Sequence, residues 1–357
     1  MPDFDYSLLG ADGKHAVDRG LAAAEWYHSE IPRKDMKALM RRSDQPALRD
    51  TLILFGAMAL CAGLGIALYP GWASVPFWLA YGVMYGSAMD SRWHECGHGT
   101  AFKTDRYNDI VYHIASFCIV RNPVTWRWSH ARHHTDTIIV GRDPEIALMR
   151  PPDAVRVGLN FIGLTDAWAG WKRMILNASG KLDAQEATYI PQTEVSKVVR
   201  VARVWVAIYA ATLAAAVMWQ SWIPLLLIGL PRLFGAWHHV MTGLLQHGGL
   251  AENVVDHRLN CRTVYMNRIS RFIYWNMNYH VEHHMFPMVP YHRLPELHAL
   301  IKDDLPAPNR SIAEAYAEML PVLWRQLRGE DFFLRRVLPD TAKPYKDDLH
   351  GAALPAE

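Results

Sequence analysis

The sequence predicts an all-α integral membrane protein in which four transmembrane helices form two hairpins and carry a helical cytoplasmic cap. Three observations support this prediction. Residues 51–89 contain no charged side chain, and residues 204–230 form a second uncharged stretch that continues as apolar sequence to about residue 245. The mean hydropathy of the whole chain is nevertheless -0.05, so a large part of it must lie in water.

The first uncharged stretch has the length of a short helical hairpin. Pro70 and Gly71 divide it into two predicted transmembrane helices, at about 51–69 and 73–89. Each half has about 17–19 residues, near the lower limit for crossing a ~30 Å hydrocarbon core at ~1.5 Å per residue.

The second uncharged stretch predicts another hairpin. Gln220, Ser221 and Pro224 mark its turn, which gives predicted transmembrane helices at about 204–219 and 223–245. Arg232 falls inside the fourth of these helices. A charged residue within a membrane span is rare and usually has a specific partner, so the register of this helix is the least certain part of the pattern.

The distribution of basic residues predicts the orientation in the membrane. Six lie shortly before the first helix, namely Arg33, Lys34, Lys37, Arg41, Arg42 and Arg49, whereas both hairpin turns carry no charge. The positive-inside rule then places both termini and the segment between the hairpins in the cytoplasm. We therefore expect a multi-pass protein of the cytoplasmic (inner) membrane.

The expected organisation is a cytoplasmic leader at 1–48, a membrane and metal-binding domain at 49–300, and a cytoplasmic helical tail at 301–357. The leader is too charged for a signal peptide, and no cleavable apolar segment precedes residue 51. The short apolar segments 110–120 and 157–171 are expected to lie at the interface, since neither is long enough to span.

Eight histidines form three tight clusters with the spacings HxxxH, HxxHH and HxxHH. They are His94 and His98, then His130, His133 and His134, then His280, His283 and His284. Positions three and four apart share one helix face, so each cluster directs its imidazoles to one point. Neutral imidazole suits iron, copper, zinc and nickel, and eight rings exceed the roughly four ligands of one zinc ion. The spacing predicts a dinuclear metal site, held by the cytoplasmic cap.

The strings around these histidines add to the prediction. HECGHGTAF, HARHHTDT and NYHVEHHMFPMVPYHRLPELH resemble the histidine boxes of the membrane fatty acid desaturase family, which also includes hydroxylases. The resemblance implies two non-haem iron ions, O₂ as co-substrate and electrons from another protein. It also implies His247, in QHGGL, as a ninth ligand. Some acyl-CoA desaturases carry an asparagine four residues before that histidine, where this chain has Gly243.

Carboxylates near the boxes have a predicted use. A metal-bound histidine usually donates its other N–H to a carboxylate or carbonyl oxygen, which fixes the tautomer of the ring. The candidates are Glu95, Asp136, Asp143 and Glu282, with an ordinary surface role as an equal interpretation. His238 and His239 are expected to pack or hydrogen-bond near the site. No catalytic residue beyond the metal ligands and no further cofactor is expected.

The resemblance favours a desaturase that introduces a C=C bond into a fatty acyl chain or acyl lipid, because HVEHHMFP is similar to the desaturase branch. A hydroxylase, or a desaturase of a small amino-acid-like or amine metabolite, stays an alternative since the same ligands support each outcome. A metal-binding or metal-transporting membrane protein is a further alternative. Transporters place ionisable ligands within their spans, whereas eight of these nine histidines lie outside the apolar stretches.

The expected partners are a lipid bilayer, an acyl or other small-molecule substrate, and a separate electron donor. No haem-binding HPGG motif and no GxGxxG after a strand is present, so we expect a ferredoxin- or rubredoxin-like donor. The four cysteines form no CxxC pair, which argues against an iron–sulfur cluster in the chain. A formal net charge of +2 gives no support for a nucleic-acid partner.

Overall fold

The computed structural model describes residues 4–22 and 24–346 of the protein. The expectation of an all-α fold is confirmed for these residues, which contain no β-strand and only isolated bridges at Thr263–Tyr279 and Val264–Asn309. Residues 1–3 and 23 of the predicted leader, and residues 347–357 of the predicted tail, lie outside the described part of the chain.

The N-terminal third leads into one long helix. Helices α1 (Ala11–Asp18) and α2 (Arg33–Leu39) precede α3 (Asp44–Ala67). Helix α3 begins seven residues before the predicted span, with Asp44 in its first turn, where a negative charge suits the helix dipole. It ends just before Pro70, a residue that cannot continue a helix. Its 24 residues give a length of about 36 Å.

The second predicted span continues into the region that carries the first histidine box. Helix α4 (Val75–Val83), a π-helical turn (Met84–Ala88) and α5 (Met89–Gly97) follow one another without a break. Together these three segments form one continuous helical rod, which extends eight residues beyond the predicted end of the span and carries the first histidine box. A π-helical turn adds a residue to one turn and is frequent next to functional sites.

The third predicted span is part of one long helix, whereas the fourth is divided. Helix α10 (Val195–Met218) is followed by α11 (Ile223–Leu227), α12 (Leu230–Gly235) and α13 (Trp237–His247). Gly229, with φ of 95°, separates α11 from α12, and this backbone conformation suits glycine.

Arg232 lies on the divided segment and is 1% exposed. Its guanidinium forms an ion pair with Asp166 and donates a 2.7 Å hydrogen bond to the carbonyl oxygen of Gly86. The charge that made the fourth span uncertain is therefore directed inward, and the broken helix leaves room for this tertiary interaction.

Glycines allow the two hairpins to pack closely. A Cβ atom on Gly235 would lie 1.7 Å from the carbonyl oxygen of Gly82, so no other residue fits there without a shift of the backbone. Ser87 adds a 2.5 Å hydrogen bond to the carbonyl oxygen of Gly235. Small residues at helix contacts are the usual device of membrane helix packing. The contact between α4 and α12 fixes the rod that carries the first histidine box.

The other helices surround the metal-binding region. They are α6 (Asp105–Cys118), α7 (Pro123–Thr135), α8 (Ala154–Phe161), α9 (Leu164–Ala178), α14 (His257–Asn260), α15 (Arg268–Tyr274), α16 (His280–Met285), α17 (Leu294–Ile301) and α18 (Ile312–Leu327). The segment 110–120 falls mainly in α6, and 157–171 is divided between α8 and α9.

Two helical stretches, Arg33–Ala67 and Gln192–Met218, are long and apolar enough to cross a membrane. Only 28% and 22% of their most apolar windows are buried inside the protein. Trp72, Trp219 and Trp222 are 90%, 69% and 62% exposed in the two hairpin turns. Extended apolar surface with exposed tryptophans near its ends is typical of contact with lipid. These features indicate a membrane protein.

Candidate metal centre

Four helices bring the nine histidines together. Helix α5 carries His94, and His98 directly follows its last residue. Helices α7 and α16 carry three histidines each, and His247 is the last residue of α13. The α7 start is fixed by the Asn122 side chain, which accepts a hydrogen bond from the backbone N–H of Val124. The histidine side chains are buried or nearly so.

The nine imidazoles form two groups in which the possible ligand atoms all lie within 4.8 Å of one another. The first nitrogen group contains His94, His98, His130, His134 and His283. The second nitrogen group contains His133, His247, His280 and His284.

The HxxHH spacing explains how one helix serves both groups. In α7, His130 and His134 are four apart and share the first nitrogen group, whereas His133 belongs to the second. In α16 the assignment is reversed, with the four-apart pair in the second group and His283 in the first. Successive residues are rotated by about 100° on a helix, so adjacent histidines point to different sides.

The distances between ring nitrogens fit a shared metal ion. The Nε2 atom of His130 lies 3.0 Å from that of His98 and 3.1 Å from that of His134. In the second group, Nε2 of His280 lies 3.0 Å from the corresponding atoms of both His247 and His284. Two nitrogens each about 2.1 Å from one metal, at right angles, would be about 3.0 Å apart. One Nε2 atom cannot serve two such neighbours by hydrogen bonding alone.

The second ring nitrogen of several histidines lies within hydrogen-bond distance of an acceptor. Nδ1 of His130 lies 2.8 Å from Oε2 of Glu145, and Nδ1 of His133 lies 2.8 Å from Oδ2 of Asp143. Nδ1 of His247 lies 2.7 Å from the carbonyl oxygen of Asn260. An acceptor at Nδ1 holds the proton there and leaves the Nε2 lone pair directed into the group.

The environment keeps most of these rings neutral at pH 7. Burial, with the nearby charge of His133, lowers the pKa of both His98 and His247 to about 3. Burial also lowers the pKa of His133, but the Asp143 carboxylate more than offsets this effect and raises that pKa. Neutral imidazole is the form that binds a metal, so the site is ready for cations at neutral pH.

Two of the four predicted carboxylates lie beside a histidine of the nitrogen groups, and the other two have different partners. Asp143 hydrogen-bonds His133, and Oε1 of Glu95 lies 3.3 Å from Nδ1 of His94, with burial raising the Glu95 pKa to about 8. Asp136 instead pairs with an arginine, accepting a 2.9 Å hydrogen bond from Arg142. Glu282 instead contacts His298 and accepts a 2.6 Å hydrogen bond from Thr263.

Sequence reasoning missed Glu145, which holds His130. The residue stands two positions after Asp143 in the string RDPEI, and that proximity was the available signal. Nothing in the spacing distinguishes its function from that of a surface acid, because the contact with His130 depends on the loop after α7. Ser129 also donates a 2.6 Å hydrogen bond to Glu145, which fixes the carboxylate further.

The remaining histidines near the site lie outside both nitrogen groups. Nε2 of His238 lies 3.1 Å from the Ser270 hydroxyl, and Nδ1 of His239 lies 3.5 Å from the Arg232 guanidinium. His257 and Cys261 form a further candidate group with His284. Burial raises the pKa of the Cys261 thiol, which disfavours the thiolate that a metal would need.

A cavity of about 390 Å³ opens onto the metal-binding region. Histidines of both nitrogen groups line it, namely His94, His130, His133, His247 and His280. Charged residues line it as well, including Asp90, Arg121, Glu145 and Asp166. A small molecule in this cavity would lie beside both groups at once.

Two adjacent groups of imidazole nitrogens and apolar outer helices, in a described part of the chain that contains no β-strand, are typical of a membrane protein with a histidine-rich site that could bind metal. The sequence matches the fatty acid desaturase family over residues 70–316. The chain belongs to this family, which uses iron, and the histidine groups are the part of the protein that could bind it.

Several curated proteins are similar to the chain. An acyl-lipid (9+3)-(E)-desaturase of Dimorphotheca sinuata is 24% identical over 255 residues, covering 63% of this chain and 66% of the relative. A chloroplastic omega-3 fatty acid desaturase of Ricinus communis is 25% identical over 275 residues, covering 71% and 58%. A chloroplastic sn-2 acyl-lipid omega-3 desaturase (ferredoxin) of Arabidopsis thaliana is 24% identical over 317 residues, covering 83% and 70%. The chain thus spans less than two thirds of the length of the first two relatives.

Proposed function

We propose that the protein is a membrane-bound, O₂-dependent oxidoreductase of the desaturase type, with one iron ion in each nitrogen group. The observation that carries this proposal is the convergence of nine imidazole nitrogens into two adjacent groups that face one cavity. The family match and the desaturase names of the relatives support the reaction class.

The reaction balances as the removal of two hydrogen atoms from adjacent carbons, with O₂, two external electrons and two protons giving two molecules of water. When bound, the two iron ions would supply the activation of O₂. The chain itself would position the substrate. A small misplacement of the reacting carbon changes the outcome, so the cavity walls decide between an alkene and an alcohol.

The residues around the histidines would hold the ligand set in its metal-binding form. Glu145 and Asp143 keep protons on Nδ1 of His130 and His133, and the Asn260 carbonyl does so for His247. These acceptors orient the rings, so that Nε2 stays available to iron. The nine histidines are the proposed ligands, with no other side chain required in the set.

Two substrate classes are candidates. A fatty acyl chain or acyl lipid is supported by the names of the relatives. A small amine-bearing metabolite is supported by the charged lining of the cavity beside the histidines. Desaturation is the preferred outcome for either class, and hydroxylation is the competing outcome.

Product analysis tests the reaction class. Membranes containing the protein are incubated with isotopically labelled substrate, a reduced donor and O₂, and the products are separated by mass spectrometry. We expect an alkene 2 Da lighter than the substrate, formed only when O₂ is present. A product 16 Da heavier would replace desaturation with hydroxylation, and no O₂-dependent product from iron-loaded protein would overturn the proposal. A variant with His130→Ala serves as the inactive control.

We also propose the predicted membrane arrangement: four spans, both termini and the histidine groups on the cytoplasmic face of an inner membrane, a leader at 1–48 and a tail beyond residue 300. Basic residues before α3 and the uncharged, tryptophan-bearing turns support it. Alkaline phosphatase fused at residue 72 or 220 should be active in a bacterial host, and a fusion at residue 181 inactive. The reverse pattern would refute the orientation.

The electron donor is proposed to be a separate ferredoxin- or rubredoxin-like protein, because one relative carries ferredoxin in its name. Reduced ferredoxin should support turnover by the purified protein, measured as O₂ consumption in the presence of substrate. Turnover with a small chemical reductant but with neither protein donor would contradict this choice.

A further inference from the structure

Charged residues form part of the wall of the cavity beside the histidines. Asp90, Arg121 and Asp166 line it, and they alternate in sign. Arg121 lies 3.7 Å from Oδ1 of Asp90 and 3.3 Å from Oδ2 of Asp166. Asp166 in turn pairs with Arg232, which links this row of charges to the broken fourth segment.

An alkyl chain placed against this row would displace water from the charges and return no hydrogen bond. Burying polar groups without partners costs free energy, and the cost offsets the gain from covering methylene groups. A substrate with its own N–H and O–H groups would instead form the hydrogen bonds that the displaced water had made. Apolar residues such as Trp93, Val120 and Met174 line other parts of the cavity. Where the row of charges forms the wall, the cavity therefore favours a polar ligand over an acyl chain.

Asp90 is placed to contact such a ligand close to the reacting region. It lies four residues before His94 on α5, so its side chain is on the same helix face and one turn, about 5.4 Å, away. Within the described residues, Oδ1 of Asp90 accepts no hydrogen bond. The Arg121 guanidinium forms an ion pair with it at 3.7 Å, a distance too long for a hydrogen bond.

One other oxygen in a residue that lines the cavity also lacks a donor. Oδ1 of Asn177 is buried and receives no hydrogen bond from the described part of the chain, whereas Oε2 of Glu252 pairs with the Arg150 guanidinium at 3.4 Å. Asp90 is the nearer of the two unfilled acceptors in sequence to a histidine of the first nitrogen group. Unfilled acceptors match a ligand rich in N–H and O–H groups.

We propose that the cavity binds a small amine carrying one or more hydroxyl groups, with its ammonium group on Asp90, as the substrate of the oxidation. The inference rests on the proposed O₂-dependent oxidoreductase function, and it chooses between the two substrate classes. The carbon next to the histidine groups would then belong to a compact polar molecule held within the cavity.

Gly243 offers an independent way to close the cavity. It lines the cavity, and a Cβ atom built on it meets no atom within 4 Å. Gly243→Leu should therefore fill space without a clash in the surrounding fold. Gly63→Leu is the matched control, because Gly63 also faces open space in a helix but lies on α3, away from the cavity.

The first experiment measures binding to the purified, iron-loaded protein by isothermal titration calorimetry and equilibrium dialysis. The amine probes are glucosamine, ethanolamine and 2-amino-1,3-propanediol, and glucose is the neutral counterpart of the first. We expect at least one amine to bind, and glucosamine to bind more tightly than glucose. Asp90→Asn should weaken amine binding about 10- to 100-fold, the usual range for one hydrogen bond to a charged group, and leave glucose unchanged.

Three further variants make the binding result specific. Asp90→Glu keeps the charge and should retain part of the affinity, and Gly243→Leu should abolish binding of all probes. Asp105→Asn removes a carboxylate that is 88% exposed and should change nothing. The iron content of each variant, measured beforehand, verifies that the fold is intact.

The inference is overturned if none of the three amines binds, or if Asp90→Asn binds them as the wild type does. It is also overturned if labelled oleoyl-phosphatidylcholine in vesicles is desaturated at equal rates by the wild type, Asp90→Asn and Gly243→Leu. That last result would leave the desaturase proposal intact. Conversely, amine binding that depends on Asp90 without O₂ consumption by iron-loaded protein would sustain the binding site and defeat the oxidoreductase proposal.

Discussion

The carboxylate of Glu145 is predicted to hold the first metal ion indirectly, through His130. Its Oε2 atom lies 2.8 Å from Nδ1 of His130, and its other oxygen accepts a 2.6 Å hydrogen bond from Ser129. Glu145→Gln keeps the size of the side chain but removes the charge. The new amide can also donate to Nδ1, which would place the ring proton on Nε2, the atom directed into the first nitrogen group.

The expected loss is 10- to 100-fold in iron affinity. A hydrogen bond to a charged partner is worth about 1.5–3 kcal/mol, and about 1.4 kcal/mol corresponds to one factor of ten. The same range holds for groups that orient metal-bound histidines in other proteins. Dialysis against a chelator of known affinity, followed by iron analysis of the protein, measures the change.

Glu186→Gln is the matched control for this test. Glu186 is 3% exposed and lines the same cavity. Within the described residues it accepts hydrogen bonds from Asn177 and the backbone of Asp183, and from no histidine. Its iron affinity should equal that of the wild type. If Glu145→Gln also retained wild-type affinity for both ions, the assigned orientation of His130 would be refuted.

Three further predictions concern the second metal position, acid stability and helix packing. Asp143→Asn should lower the iron affinity of the second nitrogen group about 10-fold or more, while the first nitrogen group stays filled. Metal analysis after partial chelation measures this difference. An equal loss of iron from both groups would contradict the division into two groups. The metal-free protein should lose stability as the pH falls from about 6.5, because buried histidines with lowered pKa values, such as His98, take up protons in this range only when the protein unfolds. Each such histidine lowers the free energy of unfolding by up to about 1.4 kcal/mol per pH unit. A melting temperature that stays constant between pH 7 and pH 5 would refute this prediction. Gly235→Ala should destabilise the protein by about 1–3 kcal/mol relative to the control Gly56→Ala, because a Cβ atom added at Gly56 meets no atom within 4 Å. Equal denaturant midpoints for the two variants would contradict the close packing of α4 on α12.

The clustered histidines and the long apolar helices could be predicted from sequence because both depend on local spacing. HxxHH on a helix fixes which imidazoles share a face, and the two nitrogen groups of the structure follow that periodicity. Uncharged runs of sufficient length likewise predicted α3 and α10, whose ends differ from the predicted spans by only a few residues at the hairpin turns.

The features that escaped prediction depend on contacts between distant parts of the chain. Arg232 lies inward from the fourth apolar segment, where it pairs with Asp166, 66 residues earlier. Glu145 holds His130 because the loop after α7 folds back over the histidines. The π-helical turn before α5 is a tertiary adjustment of helix register. Spacing in one sequence does not encode such pairings.

The metal content of the purified protein tests the central claim most directly. Iron-supplemented expression, followed by elemental analysis and X-ray absorption spectroscopy, gives the number of ions and the kind of atoms that bind them. The proposed function predicts two iron ions per chain, with nitrogen and oxygen neighbours at about 2.0–2.2 Å and no sulfur. One ion or none per chain, or a sulfur neighbour from a cysteine, would contradict it.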